Sequence, residues 1–280
     1  MSSIINHIID VRSVVSEWKK QGFKVGLVPT MGALHAGHES LIKKACESCD
    51  KVVVSVFVNP TQFGPNEDFD KYPRTLESDA ELCSKNGVDV VFAPSAEEMY
   101  PEKDFTKVIP PEVYQNKLCG KSRLGHFDGV ALVVTKLFNI VQADVAFFGQ
   151  KDAQQVVIIK KMARDLNIST EIVTCPIIRD EDGLALSSRN TYLNSEQRKK
   201  ALCLSKMLKK VVQMYQNGEI SVEIVKNEAL KLLEEGVVID YFEFVSFETL
   251  EQKNNLDDKI LVAIAARLGS IRLIDNIILE

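Results

Sequence analysis

The sequence predicts a doubly wound α/β fold: a Rossmann-like parallel-sheet domain over residues 1–179, followed by a smaller mixed α/β domain over 180–280. Three observations lead there. Short runs, β-branched and almost continuously apolar, recur before Arg179, as expected of strands covered on both faces of a parallel sheet. Stretches with helical spacing separate them, and such alternation calls for right-handed crossovers. Polar, glycine-containing segments fall just after the strand ends, on the rim where these sheets hold ligands.

In chain order, Val11, Val14, Val15 and Trp18 recur at i, i+3, i+4 and i+7, predicting a helix with Asp10 as N-cap and Gly22 closing it. Strands are predicted at 25–29, 52–58, 88–93, 143–148 and 171–178, with helices at 39–48, 75–86, 128–141 and 153–166. After Arg179 the pattern changes. Residues 180–183 (Asp-Glu-Asp-Gly) read as a turn and 187–190 (Ser-Ser-Arg-Asn) as a polar loop. A long amphipathic helix then opens at Asn194, with Gln197 as its capping-box partner, and ends near Gly218. A second helix at 221–235 precedes extended segments at 237–247, 260–266 and 271–278. No Gly/Ser-rich linker marks the boundary, so the two domains are expected to touch.

Composition narrows the function. The chain has 280 residues, 45% hydrophobic and 26% charged, which fits a folded soluble protein. A net charge of −5 gives no electrostatic case for nucleic acid. No apolar run approaches the roughly 18 residues of a membrane helix, and residues 1–10 lack a signal peptide's basic start and apolar core. A cytoplasmic enzyme with thiol cysteines is the expectation. Cys46 and Cys49 spell C-x-x-C, but they fall at i and i+3 within a predicted helix, with no second pair to complete a zinc site.

The richest segment is 28–38, Val-Pro-Thr-Met-Gly-Ala-Leu-His-Ala-Gly-His. A strand end, a small-residue turn and a helix N-terminus together offer free amides and a positive dipole end to phosphate. His35 and His38 add two imidazoles, making this a candidate phosphoryl- or nucleotidyl-transfer site. A His-x-x-His metal pair is the competing reading, but no third ligand lies at a suitable spacing. Two more polar loops converge on the same rim, Asn59-Pro60-Thr61-Gln62-Phe63-Gly64 and Gly149-Gln150-Lys151-Asp152.

His35-Ala36-Gly37-His38 resembles the HxGH signature of the nucleotidyltransferase superfamily. Five strings occur in order: Val28 to His35, Phe57 to Gly64, Tyr72-Pro73-Arg74-Thr75, Phe147 to Gln155, and Leu186-Ser187-Ser188-Arg189-Asn190. Over residues 25–193 they are similar to the pantothenate synthetase (pantoate–β-alanine ligase) family. That resemblance implies ATP-driven condensation of (R)-pantoate with β-alanine through a pantoyl-adenylate, releasing AMP and diphosphate. It also implies an ATP site lined by Met31, Gly32, Ala33, Leu34, His35, Ala36, Gly37, His38, Gly149, Gln150, Lys151 and Asp152. Ile178 would meet adenine, and Leu186, Ser187, Ser188 and Arg189 would close over the phosphates.

By the same resemblance Gln62 serves pantoate and β-alanine, Gln155 serves pantoate, and the family is commonly a homodimer. His35, His38 and Lys151 are the candidate catalytic residues. The family's pattern marks His38 as an acid, whereas we read it as a charge-stabilising donor, because departing diphosphate hardly needs a full proton. Gln150 stands where many members have Glu. ATP chemistry of this kind uses Mg²⁺, for which Asp79 and Asp152 are the nearby carboxylates, with the choice between them open. A nucleotidylyltransferase would share the HxGH loop and the fold, but the Gln62 and Gln155 motifs tell against it; a non-catalytic ATP sensor would bind ATP and release no diphosphate. A dehydrogenase would need G-x-G-x-x-G where this chain has Met31-Gly32-Ala33-Leu34-His35.

Overall fold

Six parallel strands organise the first part of the chain in a computed structural model that describes residues 2–65, 67 and 69–280. They are β1 (Ser3–Ile5), β2 (Val25–Thr30), β3 (Lys51–Val56), β4 (Val90–Phe92), β5 (Val145–Gly149) and β6 (Glu171–Cys175), in spatial order β1-β4-β3-β2-β5-β6. Helices α1 (Ile8–Lys20), α2 (Ala36–Ser48), α3 (Leu76–Lys85), α7 (His126–Val141) and α8 (Ala153–Asp165) carry the crossovers. Three short helices, α4 (Ala96–Met99), α5 (Glu112–Gln115) and α6 (Leu118–Ser122), fill the long β4–α7 connection. The chain reverses direction across the sheet between β2 and β5, which puts the switch point there.

Carboxylates fix the strand register at the edge opposite the site. Asp144 accepts from the Val25 amide at 2.8 Å and Asp89 from the Val52 amide at 2.9 Å. Each thereby satisfies a strand-opening N–H on a neighbouring strand and holds a lysine, Lys19 and Lys51 respectively.

The structure moves some predicted boundaries for identifiable reasons. Helix α1 begins before Asp10, with His7 as N-cap, because Glu98 Oε1 accepts the Ile8 amide at 2.8 Å. β6 ends at Cys175 instead of residue 178, since Pro176 has no N–H to continue a ladder. The helix predicted to reach 235 ends at Leu230, where Leu232 and Leu233 tighten into i→i−3 turns. β1 and helices α4–α6 are too short for periodicity to reveal.

The C-terminal part forms an antiparallel sheet of β7 (Val237–Ser246), β8 (Ile260–Leu268) and β9 (Ile271–Leu279), packed on α9 (Ser195–Gln216) and α10 (Val222–Leu230). The Asn194–Gln197 capping box opens α9. One face of this sheet, with Phe242, Phe244, Val262 and Ile264, shares a core with Leu204, Leu208 and Val225 of the two helices. The other face contributes Val245, Leu261 and Ala263 to the core of the parallel sheet. A single apolar cluster therefore crosses between the two sheets. No described helix is long and apolar enough to cross a membrane.

A close backbone approach sets the inner end of the fold's cleft. A Cβ on Gly129 of α7 would lie 2.3 Å from the Thr61 carbonyl oxygen and 2.6 Å from the Gln62 nitrogen. Glycine alone lets α7 meet the 59–62 turn. Gly129→Ala should cost about 1–3 kcal/mol of stability through overpacking. Chemical denaturation checks this, and a midpoint unchanged from wild type would show that the turn yields freely.

Candidate active site

The cleft opens above the carboxyl ends of β2 and β5, and its loops are built from local hydrogen bonds. Gly32 and Ala33 take left-handed backbone conformations (φ 82° and 51°), turning the chain sharply after β2. Asp79 of α3, 2% exposed, holds that turn by accepting from the Ala33 amide at 3.0 Å and the Leu34 amide at 2.8 Å. His35 then caps α2. Its Nδ1 accepts from the Gly37 amide at 3.1 Å, while His38 Nδ1 accepts from the His35 amide at 3.3 Å. The two histidines thus form a reciprocal capping box, with ring centroids 4.1 Å apart.

That box decides their chemistry. A neutral ring that accepts at Nδ1 carries its proton on Nε2, so each imidazole keeps an Nε2–H for a ligand. Burial, then neighbouring His35 and Lys151, lowers His38 to about 3; burial and Lys151 lower His35 as well. Near neutral pH His38 is an uncharged hydrogen-bond donor.

Across the switch point, Gly149 ends β5, Lys151 and Asp152 follow it, and Gln155 stands in the first turn of α8. The 178–189 segment folds back on itself: the Leu186 amide donates to the Ile178 carbonyl at 3.0 Å and Arg179 bridges to Ala185. This brings Ile178, Leu186, Ser187, Ser188 and Arg189 onto the cleft wall. Ser187 Oγ accepts from the Arg189 amide at 3.3 Å.

The inner end is more apolar, with Phe57, Val130, Val133, Val134 and Phe148 around Gln62. Asn59, 1% exposed, donates to Gln62 Oε1 at 3.0 Å, and Gln62 Nε2 turns toward Met31 Sδ at 3.2 Å. His126 Nδ1 donates to the Gln62 carbonyl at 2.8 Å. Its Nε2 consequently accepts from Arg123 at 2.8 Å, and Arg123 forks onto both Glu67 oxygens at 2.7 and 2.6 Å. Burial and Arg123 lower His126 to about 4.

Of the residues singled out in the sequence, Met31, His35, Gly37, His38, Gln62, Gly149, Lys151, Asp152, Gln155, Ile178, Leu186, Ser187, Ser188 and Arg189 line one cleft. Gly32, Ala33, Leu34, Ala36 and Gln150 lie behind it, shaping the loops. Asp79 is committed to two backbone amides and also accepts from Thr75 Oγ1 at 3.2 Å, leaving Asp152 as the carboxylate on the cleft wall. Among the described residues no cluster of three or more His, Cys, Asp or Glu could hold a metal. Cys46 and Cys49 pack beside the core formed by β2, β3 and α2, where burial raises both thiols. Sequence reasoning missed the supporting roles of Asn59, Arg123 and His126. The polar Asp275-Asn276 pair inside an apolar strand was a readable signal that also went unread.

Fold and cleft define a class: a doubly wound α/β protein whose switch-point crevice presents neutral imidazoles, a lysine and an arginine to an anionic ligand. Comparison with known proteins narrows the class to one family. The model of the Pantoate-beta-alanine ligase family matches residues 3–278, so the chain belongs to that family of ligases. Pantothenate synthetases of Acetivibrio thermocellus and Clostridium novyi are 51% and 52% identical to it, each covering 99% of this chain and 99% and 98% of the relative. The crystal structure of pantothenate synthetase from Thermus thermophilus superimposes with a TM-score of 0.92 at 42% identity, over 98% of both chains. A Francisella tularensis pantoate-beta-alanine ligase, complexed with beta-gamma ATP and beta-alanine, gives 0.81 at 38% identity, over 99% of this chain and 98% of that one.

The depressed histidines predict an acid-side loss of stability. Unfolded, His38 and His126 titrate near the ordinary histidine value of 6.5; folded, they resist protonation down to about 3 and about 4. The unfolded state therefore binds protons first, and stability falls as pH drops from about 6.5 toward 4. Each ring costs on the order of 2 kcal/mol at pH 5. His126→Asn, which keeps a donor toward the Gln62 carbonyl, should flatten that slope. Urea unfolding at pH 7.5 and 5 tests this, and an unchanged slope would mean His126 is already charged in the fold.

Proposed function

We propose that this cleft condenses (R)-pantoate with β-alanine at the expense of ATP, through a pantoyl-adenylate, giving pantothenate, AMP and diphosphate. The carrying observation is the histidine capping box, which leaves two uncharged Nε2–H donors beside Lys151 at the switch point. In the first step a pantoate carboxylate oxygen attacks the α-phosphorus and the bond to diphosphate breaks. Charge grows on the phosphate oxygens, so donors fixed in advance stabilise the transition state more than bound ATP. His35, His38, Ser187 and Ser188 supply such donors, with Lys151 and Arg189 as cations. Uncharged imidazoles suit this task, because they donate without delivering a proton to a group that does not need one.

In the second step the amine of β-alanine attacks the acyl carbon, loses a proton and expels AMP. Gln62 and Gln155 are neutral amides that can pair with pantoate's hydroxyls and carboxylate without opposing its approach to phosphorus; Gln62 serves β-alanine too. Apolar side chains around Gln62 suit pantoate's gem-dimethyl carbon. Met31, Gly32, Ala33, Leu34, Ala36, Gly37, Gly149, Gln150 and Asp152 complete the ATP loops in this reading. Ile178 lies against adenine, and 186–189 closes over the phosphates. Mg²⁺ fits a site whose wall, among the described residues, carries Asp152 as its one carboxylate, held chiefly by phosphate oxygens and water; bound, it would neutralise triphosphate charge. The same reading divides the chain at 179/180, where the sequence pattern changes, expects it in the cytoplasm, and makes it a homodimer, the last as the family resemblance implies.

His38→Ala should lower the adenylation rate by about 10²–10³, with a smaller change in ATP affinity. ATP–diphosphate exchange should require pantoate and proceed without β-alanine, since the ionised carboxylate reacts first while an unshifted amine is protonated. Exchange measured with each co-substrate omitted tests the order, and exchange that needs β-alanine would contradict it.

A further inference from the structure

Lys151 owes its place to a residue from the other sheet. Asn276 of β9, 3% exposed, divides its amide protons between two carbonyl oxygens of the Lys151 loop, those of Gln150 and Lys151, each at 3.0 Å. Its Oδ1 accepts from Gln150 Nε2 at 3.2 Å. The carboxamide is therefore fully engaged, and its orientation is dictated, because a carbonyl can only accept. Asn276 is itself held from behind. Its amide donates to Asp275 Oδ1 at 2.8 Å, and Asp275, 4% exposed, takes both arms of Arg179 at 2.6 and 2.9 Å. Arg179 in turn introduces the hairpin that ends in Ser187–Arg189.

We infer that Asn276 is a positioning residue for catalysis, acting through the backbone of Lys151. The inference rests on the assignment of Lys151 to the ATP phosphates. Lys151 makes no ion pair among the described residues, so nothing at its ammonium end aims it; its backbone does. A lysine is a point charge on a flexible stem, and its use against a developing phosphate charge depends on where the stem starts. Two hydrogen bonds to consecutive carbonyls fix that start. The same geometry engages the Gln150 side chain. With the Asn276 N–H groups turned to the carbonyls, Oδ1 needs a donor, which a carboxylate cannot be.

The test is pantoate-dependent ATP–diphosphate exchange by wild type, Asn276→Ala, Asn276→Asp, Lys151→Ala and Lys151→Ala/Asn276→Ala, each normalised to folded protein. Asn276→Asp keeps the volume but faces two carbonyls with an acceptor, and serves if the alanine variant folds poorly. Asn276→Ala and Asn276→Asp should each lower kcat about 10- to 100-fold while leaving KM for pantoate within about twofold. In the Lys151→Ala background, removing Asn276 should cost less than about twofold more, since both act through one ammonium. Full exchange activity in both Asn276 variants, or losses that multiply in the double variant, would overturn the positioning role. A Lys151→Ala enzyme that exchanges normally would instead overturn the assignment of Lys151 itself.

Discussion

Parallel pairing between β2 and β5 is the constraint on which the rest of the molecule turns. These strands share two register pairs, Gly26–Val145 and Leu27–Ala146, against six between β2 and β3. Above Leu27 they part, and because the chain runs outward in opposite directions from this pair, no crossover covers the gap. The polar loops of the cleft follow the carboxyl ends of this pair and of its neighbours β3 and β6. The Asp144 carboxylate beneath it, bonded to the Val25 amide and Lys19, anchors the pair where it begins.

On this base, the site is made of side chains that hold other side chains. Asp79 bends the loop after β2, the loop sets His35 on the end of α2, and the two imidazoles fix one another's tautomer. Asn59 and His126 do the same for Gln62, one at its side chain and one at its carbonyl. The consequence is a cleft whose donors need little reorganisation when charge appears, the condition under which such groups lower a barrier most. Its cost is acid sensitivity: the two histidines keep Nδ1 as an acceptor for the loop amides only while uncharged, and the fold resists protonating them.

Much of this was legible in the sequence. Buried parallel strands announce themselves by unbroken β-branched runs, and the Asn194–Gln197 capping box predicted the start of α9 to the residue. The loops were legible because their residues are chemically unusual: paired histidines beside glycine, glutamines flanked by rigid turns. What stayed hidden depends on distant partners. Asp10 looked like an N-cap, but Glu98, far along the chain, starts α1 earlier. Asp79 had the composition of a metal ligand, and only its contacts with Ala33 and Leu34 show it to be a backbone clamp. Asn276 lies 125 positions from Lys151, beyond the reach of any local pattern.

The central claim is that these preset donors serve attack by a carboxylate on phosphorus, so the atoms of that carboxylate decide the matter. Pantoate labelled with ¹⁸O in its carboxylate should be turned over with ATP and β-alanine, and the AMP analysed by mass spectrometry. One labelled oxygen is expected in each AMP, carried across when the acyl–phosphate bond forms and the amine later breaks the acyl–oxygen bond. AMP free of label would contradict that order of events.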